Sequence, residues 1–332
     1  MRAKAVVFTD VRQVRYMDVA VPELGPEDVC VELEYSWISS GTESSFLYGE
    51  RIRGEQVSRP GDVLPFPQVA GYQKVGIVRS IGERVQDLKV GDRVFASISH
   101  IEGMHFPTGG HINPSITHHS QVWKLPDNVD TLAYSGLVLT QVGYNCGIRP
   151  EISEGDTAVV IGDGLVGQWA AQTLAHRGAK VTVLGRHQER MELLPAGISS
   201  LNLMENSIGD WLGNRSNIAV VVDSVGAMDT FWKLKGAMKH NSHLVSAGFL
   251  GSSGMVDIQE LRAQEITLHC PSGWTKDRMD DTLAAVHEGW LQTLPLITHR
   301  FLAHQAEEAW QLIMDKEEPF LGIILAWGSA SS

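Results

Sequence analysis

Cysteine is scarce in this sequence. The 332 residues contain three cysteines, Cys30, Cys146 and Cys270, which lie far apart and form no Cys-x-x-Cys pair. This spacing excludes a disulfide framework and a cysteine-rich zinc site. Scattered thiols of this kind are typical of reduced core residues, so the sequence predicts a cytoplasmic protein.

Long apolar runs and an excess of positive charge are also absent. No stretch reaches the ~20 apolar residues that a membrane span needs, and the first residues lack the apolar length of a signal peptide. The chain carries 27 Lys and Arg against 39 Asp and Glu, which gives a net charge of −12. That balance argues against nucleic acid or an anionic membrane as a partner.

The segment 98–120 is rich in histidine. It contains His100, His105, His111, His118 and His119. Histidine is a common metal ligand, but these spacings match no zinc pattern, and neighbouring side chains of an extended segment point in opposite directions. We therefore expect loop histidines, with one or two facing an active-site cleft, rather than a metal centre.

The first part of the chain shows short apolar runs separated by turn residues. Strands are expected at 5–8, 14–19, 29–37 and 73–81, with another after Val90. The segment 44–67 carries charges and prolines and is expected to form a surface loop with a short helix. This pattern predicts a mostly antiparallel β domain.

From about Thr131 the pattern changes to alternating strands and helices. Such alternation predicts a parallel sheet with helices on both faces. Strands are expected at 158–161, 180–184, 218–223, 243–248, 265–270 and 322–327, and helices at 132–146, after the glycines, and at 228–238, 278–291 and 304–315.

The most informative stretch is Gly162-Asp163-Gly164-Leu165-Val166-Gly167, which lies between an apolar strand and an Ala- and Leu-rich helix. In a Gly-x-Gly-x-x-Gly turn the first glycine permits a sharp bend, the second lets the backbone approach a pyrophosphate, and the third lets the helix pack on the strand. Free N–H groups and the positive end of the helix dipole then face the phosphates. A second strand follows at the required spacing, so we predict a dinucleotide site here rather than a structural turn.

Several short motifs, in a fixed order, carry a family resemblance. They are Gly91-Asp92-Arg93-Val94, Lys124-Leu125-Pro126-Asp127, the glycine motif and Asp223-Ser224-Val225-Gly226, followed by a C-terminal helix and strand. With them nearly the whole chain resembles the medium-chain dehydrogenase/reductase superfamily. The resemblance implies an α/β protein with a GroES-like β-rich catalytic domain (1–135, completed by 300–332) and a Rossmann domain with a doubly wound parallel sheet (136–299). It further implies an active site between them, a small-molecule substrate and a homodimer formed through edge strands of the cofactor domain.

The positions that hold catalytic zinc in many members of this superfamily differ here. A Cys in a Cys-Gly-Thr-Asp-like motif, a His in Gly-His-Glu, and a Cys or Glu upstream of Gly-Tyr are replaced by Ser40, Tyr72 and Val138. Serine, tyrosine and valine do not supply the nitrogen, sulfur and carboxylate ligands that zinc needs. We therefore predict a zinc-independent enzyme, similar to the zinc-less subgroup that includes bacteriochlorophyllide a dehydrogenase-like proteins.

Without zinc, another group must polarise a carbonyl and move a proton as the hydride is transferred. Thr42 matches the proton-relay hydroxyl of the family. Tyr72 can donate a hydrogen bond to a carbonyl oxygen, although an ordinary phenol pKa of ~10 makes it a poor base. An alternative is that Tyr72 only fills the space of the missing metal. Glu43 is expected to orient Thr42 or bind a polar substrate group, or else to be a structural ion-pair partner.

Cofactor preference follows from the end of the second strand. An NAD-specific site has an Asp or Glu there, roughly 20 residues past the glycines, to accept the ribose 2′-OH. That position is Gly185, and Arg186 follows it. Without the carboxylate, a 2′-phosphate is not repelled, and the planar guanidinium can pair with it. We predict NADP(H), with Arg190 either assisting or acting as a solvated helix residue.

The resemblance also implies that Val225, Gly226, Gly248, Phe249 and Ser272 contact the cofactor. The sequence as a whole predicts an NADP(H)-dependent oxidoreductase acting on a carbonyl, imine or alcohol of a small organic molecule. Two alternatives are a zinc-free reductase of an activated C=C bond and a cofactor-binding relative without turnover.

Overall fold

A computed structural model describes residues 1–328 of the chain. The strands are β1 (Arg2–Asp10), β2 (Gln13–Ala20), β3 (Asp28–Ile38), β4 (Arg51–Arg53), β5 (Gln56–Val57), β6 (Gln68–Val69), β7 (Lys74–Ile81), β8 (Arg93–Ala96), β9 (Ser99–His100), β10 (Thr108–Gly109), β11 (Ile112–Asn113), β12 (Ser115–His118), β13 (Val122–Lys124), β14 (Thr157–Ile161), β15 (Lys180–Gly185), β16 (Ser199–Asn202), β17 (Ile218–Asp223), β18 (Met238–Ser246), β19 (Thr267–His269), β20 (Ile297–Leu302) and β21 (Gly322–Ala326).

The helices alternate with strands mainly in the second half of the chain. They are α1 (Ser40–Leu47), α2 (Leu137–Ile148), α3 (Leu165–His176), α4 (Gln188–Met191), α5 (Ile208–Leu212), α6 (Met228–Lys235), α7 (Ile258–Arg262), α8 (Lys276–His287) and α9 (Ala306–Asp315). Within residues 1–328, no helix is both long enough and apolar enough to cross a membrane.

The chain divides into two compact units. Among the described residues, the first comprises Met1–Val138 and 297–328, and the second comprises Leu139–Leu296. The first unit contains a sheet in the order β13-β8-β7-β3-β21-β20, with β12 also on β3, and a smaller sheet in which β1 pairs with β2, β6 and β11. Its strand pairs are antiparallel except for β20 and β21, which run parallel. The predicted β-rich catalytic domain fold is thus confirmed.

The C-terminal helix α9 belongs to the core of the first unit. Trp310 on α9 is fully buried and packs edge-to-face on Phe8 of β1, with ring centroids 4.9 Å apart. Ile38 and Ile323 belong to the same buried cluster. Aromatic pairs of this geometry contribute beyond the area they bury, so the returning helix anchors the end of the chain to its first strands.

The second unit contains a six-stranded sheet in the order β16-β15-β14-β17-β18-β19, and its neighbouring strands are parallel. Successive residues of β14 enter two different cores: Ala158 and Val160 pack in one cluster, and Val159 and Ile161 pack in another. A strand that is apolar on both faces is what a parallel sheet covered by helices requires. The strand order is that of the Rossmann fold, so the predicted doubly wound sheet is confirmed.

Some element boundaries differ from the sequence prediction. The expected short helix of the segment 44–67 begins earlier, at Ser40, and the segment also contains the β4–β5 hairpin. The helix predicted to run to Met238 ends at Lys235, because Met238 already starts β18. The strands β16 and β20 were not predicted, because their sequences, SSLN and ITHRFL, lack the long apolar run of a buried strand.

Candidate functional site

Glu43 lies in the first turns of helix α1, which starts directly after β3. Its Oε1 accepts the backbone N–H of Ser39 at 2.7 Å, which satisfies one of the N–H groups that a helix start leaves unpaired. Its Oε2 lies 3.1 Å from Nε2 of His111. Glu43 is 3% exposed and His111 is fully buried. The buried Glu43 carboxylate therefore caps the start of α1 and contacts the imidazole of His111.

His111 connects this carboxylate to the end of the chain. Its Nδ1 lies 2.8 Å from Oγ of Ser36, and that oxygen also accepts the indole N–H of Trp327 at 2.8 Å. Because the Ser36 hydroxyl has one proton, the network is satisfied when Ser36 donates to Nδ1 and Nε2–H donates to Glu43. From the sequence we expected loop histidines in this segment, with one or two facing an active-site cleft, and no signal distinguished His111, which is fully buried.

Tyr72 lies next to this network. Its partly buried phenol forms hydrogen bonds with the hydroxyls of Ser39 and Thr42. Burial raises the pKa of Tyr72 to about 12, and the nearby Glu43 carboxylate also raises it, whereas the two hydroxyls lower it. The phenol therefore stays protonated at neutral pH and acts as a hydrogen-bond donor. The three candidates Thr42, Glu43 and Tyr72 are brought together.

A cavity of about 130 Å³ in the first unit adjoins these three residues. Thr42, Glu43 and Tyr72 supply polar groups to it, as do Gln68 and Thr108, and much of the remaining lining is apolar, including Phe46 and Phe106. A few polar groups in an otherwise apolar concavity are typical of a small-molecule site. A wider cavity of about 740 Å³ in the second unit, beside Trp232 and Glu260, contains none of the predicted site residues.

The positions that hold zinc in relatives offer no ligand set here. Ser40 begins α1, Tyr72 bonds to neighbouring hydroxyls, and Val138 is a buried apolar residue of α2. Among residues 1–328, no group of three or more His, Cys, Asp or Glu side chains is arranged to hold a metal ion. The side chains present therefore do not fit a catalytic zinc ion at this site.

The predicted glycine turn connects β14 to α3. A Cβ on Gly167, in the first turn of α3 after Leu165 and Val166, would lie 2.1 Å from the carbonyl oxygen of Gly162, so this position requires glycine. A Cβ on Gly164, the residue before the helix, would meet no atom within 4 Å. The space beside Gly164 at the helix start is thus open, as the close approach of a pyrophosphate requires. These residues fit a dinucleotide.

The loops after β17 and β18 meet the same edge of the sheet. The N–H groups of Val225 and Gly226 donate to Oδ1 of Asp223 at 3.0 and 2.9 Å. A Cβ on Gly248 would lie 1.9 Å from the nitrogen of Gly226, and one on Gly226 would lie 2.7 Å from the Phe249 oxygen. Four of the predicted cofactor residues are therefore brought together at the carboxyl ends of the strands, where such folds bind ligands. Ser272 lies in the exposed segment between β19, a strand of the same parallel sheet, and α8.

Arg186 and Arg190 follow β15, and both contact the carboxylate of Asp163, a residue that was not predicted as part of the site. Asp163, the middle residue of the first Gly-x-Gly, accepts the backbone N–H groups of Arg186 and His187 at 2.7 and 2.8 Å. Its other oxygen lies 3.4 Å from Nη1 of Arg190. The sequence does contain a signal for Asp163: it places a negative charge inside a glycine turn that is expected to face phosphates.

Comparisons with known proteins support this fold. Residues 25–127 match the alcohol dehydrogenase GroES-like domain. An L-threonine 3-dehydrogenase of Serratia proteamaculans is 24% identical over 93% of this chain and 95% of its own length.

Two solved structures share the fold of the chain. A putative zinc-binding dehydrogenase from Sinorhizobium meliloti 1021, bound to NADP, is 19% identical over 98% of this chain and 100% of its own, with a TM-score of 0.82. A short chain alcohol dehydrogenase from E. coli CFT073, complexed with the cofactor NADH, is 18% identical over 98% and 99%, with a TM-score of 0.84. The domain match identifies an alcohol dehydrogenase GroES-like domain in residues 25–127, and the two structures show that the chain as a whole shares the fold of these dehydrogenases.

Proposed function

We propose that this protein is a zinc-independent, NADP(H)-dependent oxidoreductase that transfers a hydride between nicotinamide and a carbonyl, imine or alcohol of a small organic molecule. The observation that carries the proposal is the protonated phenol of Tyr72, held by two hydroxyls beside a cavity, at a position where zinc-dependent relatives have a ligand. The bound nicotinamide supplies the hydride.

The glycine turn and the loops after β17 and β18 are the proposed cofactor-binding residues. The open helix start at Gly164 receives the pyrophosphate through backbone N–H groups. The exposed guanidinium of Arg186 pairs with the 2′-phosphate. Gly185 presents no carboxylate of its own to repel that phosphate, and this favours NADP(H) over NAD(H).

Tyr72 is the proposed proton donor when a carbonyl is reduced. A phenol with a pKa raised to about 12 donates a hydrogen bond to the carbonyl oxygen and can protonate the more basic alkoxide that forms. Thr42 bonds to the phenol, and its proposed role is to return a proton to it. The buried Glu43 is bonded to Ser39 and His111, so its proposed role is to hold the helix start that carries Thr42.

The cavity limits the substrate. About 130 Å³ accommodates a small group, and the aromatic side chains of Phe46 and Phe106 favour an apolar one next to the reacting carbon. We therefore propose a substrate whose carbonyl, imine or alcohol carbon bears a small apolar substituent.

Cofactor binding tests the first half of the proposal. The chelator-treated protein is titrated with NADPH and with NADH, with energy transfer from tryptophan as the signal. We expect NADPH to bind at least about tenfold more tightly, a gap of about 1.4 kcal/mol, and Arg186→Gln to remove that gap. Arg262→Gln, at an exposed arginine of α7 in the same unit, is the matched control and should leave both affinities unchanged. Equal affinity of the native protein for both cofactors would overturn the NADP(H) assignment.

The proposal includes a homodimer. β19 is an edge strand of the six-stranded sheet in the second unit, and Leu268 on it is 38% exposed. An unpaired edge with an apolar side chain is suited to pairing with a second copy. Light scattering of the purified protein tests this, and Leu268→Lys is expected to shift the mass toward that of one chain.

A further inference from the structure

The turn that faces the cofactor phosphates contains a carboxylate of its own. Asp163 is 5% exposed, and its Oδ2 accepts two successive backbone N–H groups, from Arg186 and His187. The Nδ1 atom of His187 lies 3.0 Å from the same oxygen and 3.1 Å from Oδ1, and Arg190 approaches Oδ1. Successive N–H groups of this kind form a concavity that binds anions. Asp163 therefore fills an anion site built from the loop that follows β15.

Gly185 leaves the space that this carboxylate occupies. A Cβ at position 185 would lie 2.6 Å from Oδ2 and 2.8 Å from Cβ of Asp163, and 2.7 Å from Sδ of Met191. No side chain fits at Gly185 while Asp163 stays in place. The two residues are thus complementary: the carboxylate that other dinucleotide folds place at the end of the second strand is here supplied from the first turn and pointed into the loop.

The surroundings of Asp163 keep it ionised. Burial by itself would raise its pKa, but hydrogen bonds from the N–H groups of His187 and Arg186 and from the His187 ring lower it below its ordinary value. A charged carboxylate with this many donors holds both backbone and side chains of the loop. Removing it leaves two N–H groups and a guanidinium without that partner, so the loop is expected to change conformation.

We propose that Asp163 is a positioning residue for cofactor selection: by filling the loop's anion site it fixes the backbone of Arg186 and His187, so that the Arg186 guanidinium is presented to the 2′-phosphate. The inference rests on the proposed use of NADP(H). In this proposal Asp163 affects cofactor binding only by positioning Arg186. The 2′-phosphate then contacts the Arg186 side chain and not the backbone N–H groups, which Asp163 already occupies.

A double-mutant cycle tests this role. The dissociation constants of NADPH and NADH are measured for the native protein, Asp163→Ala, Arg186→Gln and the double variant. We expect Asp163→Ala to weaken NADPH binding about tenfold, which is about 1.4 kcal/mol, and to change the dissociation constant of NADH less than about twofold. We also expect the double variant to bind NADPH no more weakly than Arg186→Gln alone, because Asp163 acts through that side chain.

Three outcomes would overturn the inference. The first is an equal loss of affinity for NADPH and NADH in Asp163→Ala. The second is a loss of NADPH affinity in the double variant that equals the sum of the two single losses. The third is tighter NADPH binding by Asp163→Ala, which would show that the carboxylate mainly repels the phosphate. If the native protein binds NADPH no more tightly than NADH, the NADP(H) proposal itself fails. If the native protein prefers NADPH but Arg186→Gln leaves NADPH binding unchanged, the NADP(H) proposal stands, and this fourth outcome overturns only the inference about Asp163.

Two further variants keep the test decisive. Asp163→Asn retains the shape and one acceptor oxygen, and it replaces Asp163→Ala in the cycle if the latter does not fold, with a loss of about threefold expected. Asp156→Asn is the matched control: Asp156 precedes the opposite end of β14, accepts the N–H of Ser153 at 2.8 Å and pairs with Lys239 at 2.7 Å. Its substitution removes a comparable carboxylate and should leave the ratio of the two cofactor affinities unchanged.

Discussion

The Nε2 atom of His111 lies 3.1 Å from Oε2 of Glu43, and these two side chains are separated by 68 residues in the chain. Glu43→Ala would leave the imidazole and the N–H of Ser39 without their buried acceptor. A buried donor left without its acceptor costs about 1–3 kcal/mol, and two donors are left here, so we expect the free energy of unfolding, measured with urea, to fall by about 2–6 kcal/mol. Asp18→Ala, which removes an ion pair with Lys4 whose side chains are about half exposed, should cost less than about 1 kcal/mol. Similar losses for the two variants would contradict a stabilising role for the buried pair.

Tyr72→Phe removes the proposed proton donor but keeps the ring. We expect kcat for carbonyl reduction to fall about 10²- to 10⁴-fold with NADPH binding unchanged. Because the pKa of Tyr72 is raised to about 12, the native rate should show no loss from its deprotonation between neutral pH and about pH 10. Tyr48→Phe, a partly buried tyrosine of the same unit, is the control. Full activity of Tyr72→Phe on an activated C=C bond would instead favour the C=C reductase.

Lys74 is a fully buried lysine whose Nζ donates to the carbonyl of Ser97 and to Oγ of Ser99. Burial lowers its pKa from 10.5 to about 7. Between these two values the unfolded chain binds more protons than the folded one, so this residue's contribution to stability increases as the pH rises from about 7 toward 10.5. At pH 7 we expect Lys74→Met to be more stable than the native protein.

The pH dependence of this difference is the measurement. The advantage of Lys74→Met should shrink by up to about 1.4 kcal/mol per pH unit as the pH is raised from 7 toward 10. Lys4→Met, at a lysine whose side chain is 50% exposed, should show no such trend. A constant difference between Lys74→Met and the native protein across this range would show that Lys74 does not lose its proton on folding.

Removal of metal ions tests zinc independence. Because Ser40, Tyr72 and Val138 provide no zinc ligand set, we expect treatment with a strong chelator followed by dialysis to leave NADPH-dependent turnover unchanged. Elemental analysis of the purified protein should find zinc well below one ion per chain. Loss of turnover on chelation, with recovery on adding zinc, would overturn this prediction.

The sequence by itself determined the architecture. Three local patterns predict the doubly wound sheet. Continuous apolar runs such as Ala158–Ile161 predict buried strands, the glycines after them predict a tight turn, and the alternation of strands and helices predicts a parallel sheet. The strands expected at 5–8, 14–19, 29–37 and 73–81 in the first unit follow from short apolar runs between turn residues. The start of α1 at Ser40 was less visible, because its serine-rich sequence lacks both strong helix formers and an apolar stripe.

Only the tertiary structure decided which side chains meet. That Glu43 faces His111, that Asp163 holds the loop of Arg186, and that Lys74 lies among serine hydroxyls depend on strands distant in the sequence being brought side by side. Local propensity contains no information about such pairs. Gly185 illustrates the difference: from the sequence it is a missing carboxylate, whereas in the fold it is the space that the carboxylate of Asp163 occupies.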